Sequence, residues 1–93
     1  TFKAINNSNL LVEFDTYGEV LSMNDRFKQI FGEVKSHREL DNSSKRDWLE
    51  FWTHLRIGYF KQGEYEFGKI WLYGNFNPIK DPYGEVYKVL LID

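Results

Sequence analysis

The stretch "IWLYGNFNPIKDPYG", Ile70 to Gly84, decides how the rest of the chain is read. It runs from an apolar segment into a turn and carries four aromatic rings, two asparagines and two prolines. As a strand, its alternate residues face opposite sides: Ile70, Leu72, Gly74 and Phe76 one way, Trp71, Tyr73 and Asn75 the other. Both sets are partly apolar, so both faces of the strand should be covered. One face meets helices and any cavity, and the other suits a flanking helix or a second subunit. The stretch closes in a turn, with Pro82 preset for the second place of type I and Gly84 at the fourth.

Working outward, "EYEF" before it alternates as a strand, with Gly68 and Lys69 as a two-residue link, and "EVYKVLLID" after it is the last strand. Near the start, Leu10 to Phe14 and Glu19 to Met23 flank "DTYG" and form a hairpin. The hexapeptides "DTYGEV" (Asp15 to Val20) and "DPYGEV" (Asp81 to Val86) share five of six residues, and their flanks differ, so one hairpin chemistry is used twice. Between the sheet segments, Asn24 caps a short helix with Phe27, Ile30 and Phe31 on one face and Gly32 as its stop. Glu33 to Asn42 reads as a surface connection with at most one helical turn around "SHREL". Ser44 then caps a helix whose Trp48, Phe51, Trp52 and Leu55 share a stripe, ending at Gly58. Strands in two groups around short helices give an α+β two-layer domain, the helices crossing one face of an antiparallel sheet.

The totals exclude several classes. Ninety-three residues make one domain with room for one core and a small cavity. Twelve Lys and Arg against 14 Asp and Glu give a formal charge of -2 with scattered cations, which argues against nucleic acid. The absence of cysteine removes disulfides, thiolate metal sites and cysteine nucleophiles. No apolar run suits a membrane span and the first residues lack a signal-peptide pattern, so a cytoplasmic location is expected.

The order "EFDTYGEVLSMNDRFKQIFG", then "FWTHLRIG", then "GEYEFGKIWLYGNFNPIKDPYGEVYKVLLID" resembles the PAS sensory domain, and more narrowly the PAS modules of bacterial methyl-accepting chemotaxis proteins. The resemblance rests on Phe14, Asp15, Gly18, Asn24, Phe27, Phe31 and Gly32 early, and on Trp71, Leu72, Asn75, Asn77, Pro78, Ile79, Asp81, Gly84, Lys88 and Val89 late. It covers nearly all of residues 1–93, as a single domain taken from a longer multidomain signalling protein. It implies a five-stranded antiparallel sheet in the order 2-1-5-4-3, with short helices on one face.

By the same resemblance the function is sensory. A small ligand or cofactor is bound, the change passes through the last strand, and a C-terminal output domain beyond Asp93 responds. A chemotaxis receptor is the expected host, ahead of a histidine kinase or diguanylate cyclase. Phe27, Phe31, Trp52, Leu55, Leu72 and Asn75 are the implied pocket residues, and Lys88 and Asp93 the relay. Homodimerisation through the outer sheet face and the N-terminal segment is expected. The chain departs from the family in a short connection between Gly32 and His37 and in the short link at Gly68, both of which shrink or reshape the cavity.

Some domains of this kind hold heme b by an axial histidine, and His37 of "SHREL" matches that place, making a heme-based gas or redox sensor one alternative. The other reading of His37 is a solvated loop residue among Lys35, Arg38 and Glu39. A ligand-free dimerisation scaffold is a further alternative. His54 lies off the aromatic stripe and is expected at the surface. Asp15, His37, His54, Glu64 and Glu66 form no nucleophile, base and orienter set and no metal-ligand spacing, so no enzyme is expected. Asp15 has a turn to cap, and Glu64 and Glu66 point to solvent. Asn75 and Asn77 either bond the backbone near Pro78 or face a ligand.

Overall fold

The computed structural model describes residues 9–93. Five strands, β1 (Leu11–Phe14), β2 (Val20–Met23), β3 (Lys61–Phe67), β4 (Ile70–Lys80) and β5 (Val86–Ile92), form one antiparallel sheet in the order β2-β1-β5-β4-β3. Two helices, α1 (Asp25–Phe31) and α2 (Lys45–Ile57), and a single 3-10 turn (His37–Glu39) lie between β2 and β3 in sequence. The last strand is central: Val12 pairs with Leu91 on one side of it and Phe76 with Leu91 on the other.

The helices begin and end where their residues dictate. The Asn24 side chain accepts from the Phe27 amide, the Ser44 hydroxyl from the Asp47 amide, and Gly58 closes α2 in the left-handed region at φ 111°. On α1 only Phe27 is fully buried. Ile30, expected on the same face, is 36% exposed.

The twin hexapeptides make the same turn twice. Asp15 accepts at Oδ1 from the amides of Tyr17 and Glu19, and Asp81 does so from those of Tyr83 and Glu85. In both, the glycine amide donates to the aspartate carbonyl, and the two glycines take φ of 87° and 85°. Their surroundings differ. A Cβ on Gly84 would meet nothing within 4 Å, whereas one on Gly18 would come within 3.1 Å of both Trp48 and Trp52.

The connection before α2 departs from expectation. Val34, His37 and Leu40 are buried at intervals of three, so the segment expected on the surface supplies part of the core. Backbone contacts hold it down: the Val20 amide donates to the Lys35 carbonyl and the His37 amide to the Gly18 carbonyl, both at 2.8 Å. Short bridges Glu19–Ser36 and Asp41–Phe67 pin its two ends.

The inner sheet face and helices enclose a core of Val12, Phe14, Phe27, Trp52, Leu55, Phe67, Leu72, Phe76, Val89 and Leu91. β4 alternates as expected from Trp71 on, Leu72, Gly74 and Phe76 inward and Trp71 and Tyr73 outward, but Ile70, expected inward, is 39% exposed at the start of the strand. Among the described residues the outer face is not covered as expected: Trp71 is 61% and Tyr73 58% exposed. The N-terminal segment expected to join a dimer interface falls largely in residues 1–8, outside the described residues. At Gly74 a Cβ would lie 3.0 Å from the Ile92 carbonyl oxygen, so β4 meets the end of β5 closely and any larger residue would have to push it back.

Candidate functional site

The site grows from Gly18. Its carbonyl fixes the His37 amide, the Ser36 hydroxyl caps the 3-10 turn by accepting from the Arg38 amide, and the turn directs Arg38 and Glu39 outward while His37 enters the core. His37 is 2% exposed. It is thus a core histidine, and the solvated reading is corrected: three charged sequence neighbours do not set the direction of a residue whose backbone is pinned beneath a turn.

Two indoles converge on the buried ring. Trp48 Nε1–H donates to His37 Nδ1 at 2.8 Å, and Trp52 Nε1–H donates to the same atom at 3.0 Å. A nitrogen that accepts two donors carries no proton, so the neutral ring holds its hydrogen on Nε2. His37 Nε2 is buried with no hydrogen-bond partner among the described residues.

Aromatic rings pack around the imidazole on every side. Phe51 stacks on it at 10° and 5.6 Å, while Phe14, Phe67 and Phe76 stand edge-on at 5.7, 5.7 and 5.3 Å. Burial therefore pushes the His37 pKa down to about 4, with Asp41 acting upward and Arg38 further downward. Protonation would also put an N–H on Nδ1 against two indole donors.

Beside His37 lies a cavity of about 200 Å³. Its aromatic wall is Trp48, Phe51 and Tyr65, and its polar side is Asp41, Ser43 and Asp47. Burial raises the Tyr65 phenol, which stays neutral. Asp41 Oδ2 is shared by the Arg38 guanidinium at 3.3 Å, the Ser43 amide at 3.2 Å and the Ser43 hydroxyl.

The sequence-derived candidates divide sharply. Phe27, Trp52, Leu55 and Leu72 are buried core residues, and Phe31 packs against that core at 4.6 Å from the Phe27 ring. None of them lines the cavity, because the short connection brings His37 and α2 over the sheet instead. Asn75 lies on the other sheet face, with Oδ1 buried and unpaired among the described residues. Asn77 bonds the backbone, donating to the carbonyls of Asn75 and Leu90, both at 3.2 Å. His54 is half-buried, its Nδ1 3.1 Å from the Lys61 ammonium, rather than free at the surface. Lys88 reaches Glu13 on β1 at 2.7 Å, and the Asp93 amide donates to the Leu10 carbonyl at 3.2 Å.

The cavity residues missed by sequence reading are Asp41, Ser43, Asp47 and Tyr65, together with Trp48 and Phe51, which were read only as part of the helix stripe. A heme does not fit this site. The cavity lies below the roughly 300–1,000 Å³ of typical ligand pockets, and Nε2, the nitrogen left to ligate iron, is enclosed by rings. Among the described residues there is also no cluster of three His, Asp or Glu suited to a metal ion, and no helix is long and apolar enough to cross a membrane.

Solved structures share this arrangement. A histidine-kinase domain from Haloarcula marismortui superposes with a TM-score of 0.69 over 98% of this chain and 93% of its own, at 18% identity. The PAS domain of histidine kinase ThkA gives 0.65 over 90% and 96%, at 13% identity. The chain has the PAS fold. The N-terminal domain of a diguanylate cyclase with a PAS/PAC sensor, from Marinobacter aquaeolei, agrees at 0.68 over 91% and 92%, with 11% identity. In sequence, the chain is 31% identical over 101 aligned positions to the biofilm dispersion protein BdlA of Pseudomonas aeruginosa. The match takes in 94% of this chain and spans 24% of that protein's length. No family profile matches the chain.

Proposed function

We propose that this PAS-fold domain is a non-catalytic sensory module of a bacterial cytoplasmic signal transducer, a chemotaxis-type transducer before a kinase or cyclase. A small ligand enters the His37 cavity, and the last strand carries the change to an output domain beyond Asp93. One observation carries the reading: the cavity wall touches the central strands in two steps. His37 meets Phe76 of β4 with ring centroids 5.3 Å apart, and Phe76 is paired with Leu91 of β5. A ligand shifts this system only by binding one arrangement of His37 and Phe76 better than another. The 31% identity to a biofilm dispersion protein supports a signalling host. Exposed Trp71 and Tyr73 support a homodimer through the outer sheet face.

The test is amide hydrogen exchange of the full protein with and without compounds that raise its melting temperature. Altered exchange at Val89–Ile92 on binding at the cavity supports the relay. Binding that leaves β5 unchanged removes it and leaves a dimerisation scaffold as the better reading, which sedimentation of the Trp71→Ser variant then examines.

A further inference from the structure

Resting on the reading of the His37 cavity as a ligand site, we propose that its ligand is a small organic cation, an alkyl- or methylammonium group held against Trp48, Phe51 and Tyr65. The faces of these rings carry negative electrostatic potential and attract cations, more strongly as water is excluded. Two carboxylates, Asp41 and Asp47, border the same space, and no lysine or arginine lines it. Anions therefore meet only like charge there.

Of the two carboxylates, Asp41 is already paired and, among the described residues, Asp47 is not. Arg38 is engaged by Asp41 Oδ2 at 3.3 Å and by the Ser43 carbonyl at 2.8 Å, with its guanidinium 5.8 Å from the Trp48 ring centroid. Lys61 sits 5.8 Å from the Phe51 ring centroid, so that ring already accepts a cation on one face. Asp47 has no ion pair among the described residues. His37 adds no positive charge to the wall, since its Nδ1 is an acceptor for both indoles. The same ring, more than nine-tenths buried, keeps one N–H without a partner. Enclosed by the surrounding rings, that N–H is not offered to the ligand, so recognition rests on the cation. A cavity of about 200 Å³ admits a trimethylammonium head and a short tail.

Calorimetric titration with choline and with its uncharged carbon isostere, 3,3-dimethylbutan-1-ol, isolates the charge, since shape and hydroxyl are shared. Choline is expected to bind saturably, to shift the Trp48 Nε1–H resonance, and to exceed the isostere by about tenfold, within the range of desolvated cation–π contacts. Asp47→Asn, at an exposed position, and Phe51→Leu are each expected to weaken choline several-fold while the isostere changes little. Equal binding of the two compounds, or no binding of choline, overturns the proposal. If a neutral compound instead binds at the cavity and alters β5 exchange, cation selectivity falls while the sensory reading stands. If choline binds and β5 never responds, the sensory reading falls and the ligand class stands.

Discussion

Trp52 donates its indole N–H to His37 Nδ1 at 3.0 Å, across a core that holds both side chains at 2% exposure or less. Replacing His37 with alanine removes the acceptor for two buried donors and opens a void among the rings. The expected cost is about 3 kcal/mol, from unpaired polar groups and lost packing together. Urea unfolding with a constant slope measures it. A loss under about 1 kcal/mol would mean that the indoles find water or another acceptor.

Stability should fall in mild acid on account of this ring. Its folded pKa is about 4 against an ordinary 6.5, so the unfolded chain takes up a proton below pH 6.5 that the folded chain refuses. The stabilisation is complete above pH 6.5 and is lost as pH falls towards 4. At about 1.36 kcal/mol per unit, the full loss is of order 3 kcal/mol. The His37→Gln variant should lack this component, so its unfolding midpoints between pH 7.5 and 4.5 should slope less than those of the parent. Parallel slopes would place the titration elsewhere.

The twin turns provide an internal control. Gly84→Ala should cost about 1 kcal/mol, the strain of a left-handed backbone in the open. Gly18→Ala carries the same strain and also drives a methyl into Trp48 and Trp52, so it should cost at least about 1 kcal/mol more. It should further disturb the two indole N–H resonances, which Gly84→Ala should leave in place. Equal melting temperatures for the two variants would contradict the difference in surroundings.

The Lys88–Glu13 pair joins β5 to β1 at 2.7 Å near the surface, where such pairs contribute little. The Lys88 hydrogen bond lowers the Glu13 pKa, ahead of the bond from Ser22, so its small contribution is present at neutral pH and lost as pH falls below the ordinary carboxylate range. Lys88→Met should scarcely move the melting temperature, and any effect should vanish in high salt. A large loss would show that the pair is less exposed to solvent than its geometry indicates.

Much of this architecture is legible in the residues themselves. Asn24, Ser44, Gly32 and Gly58 announce both helices, because capping chemistry is local. The repeated Asp-x-Tyr-Gly-Glu-Val likewise announces two like turns. His37 was not legible in the same way. Its direction depends on a hydrogen bond to Gly18, 19 residues earlier in the sequence, and charged neighbours masked it. One signal was available: two tryptophans on a buried helical stripe each need an acceptor, and Ser36-His37 is a capped turn bearing one. The cavity residues Asp41, Ser43 and Asp47 read as ordinary loop and cap residues, since nothing in their spacing records that Tyr65 closes over them.

Gly74 sets a limit on how the far end of the sheet behaves. With the Ile92 carbonyl oxygen only 3.0 Å from where a methyl would sit, the last residues of β5 lie close against β4. Any tilt of Ile92 must take the backbone around Tyr73 and Asn75 with it. On the proposed relay, a change at Asp93 would be felt at the backbone beneath Trp71 and Tyr73, and a partner bound there would resist it.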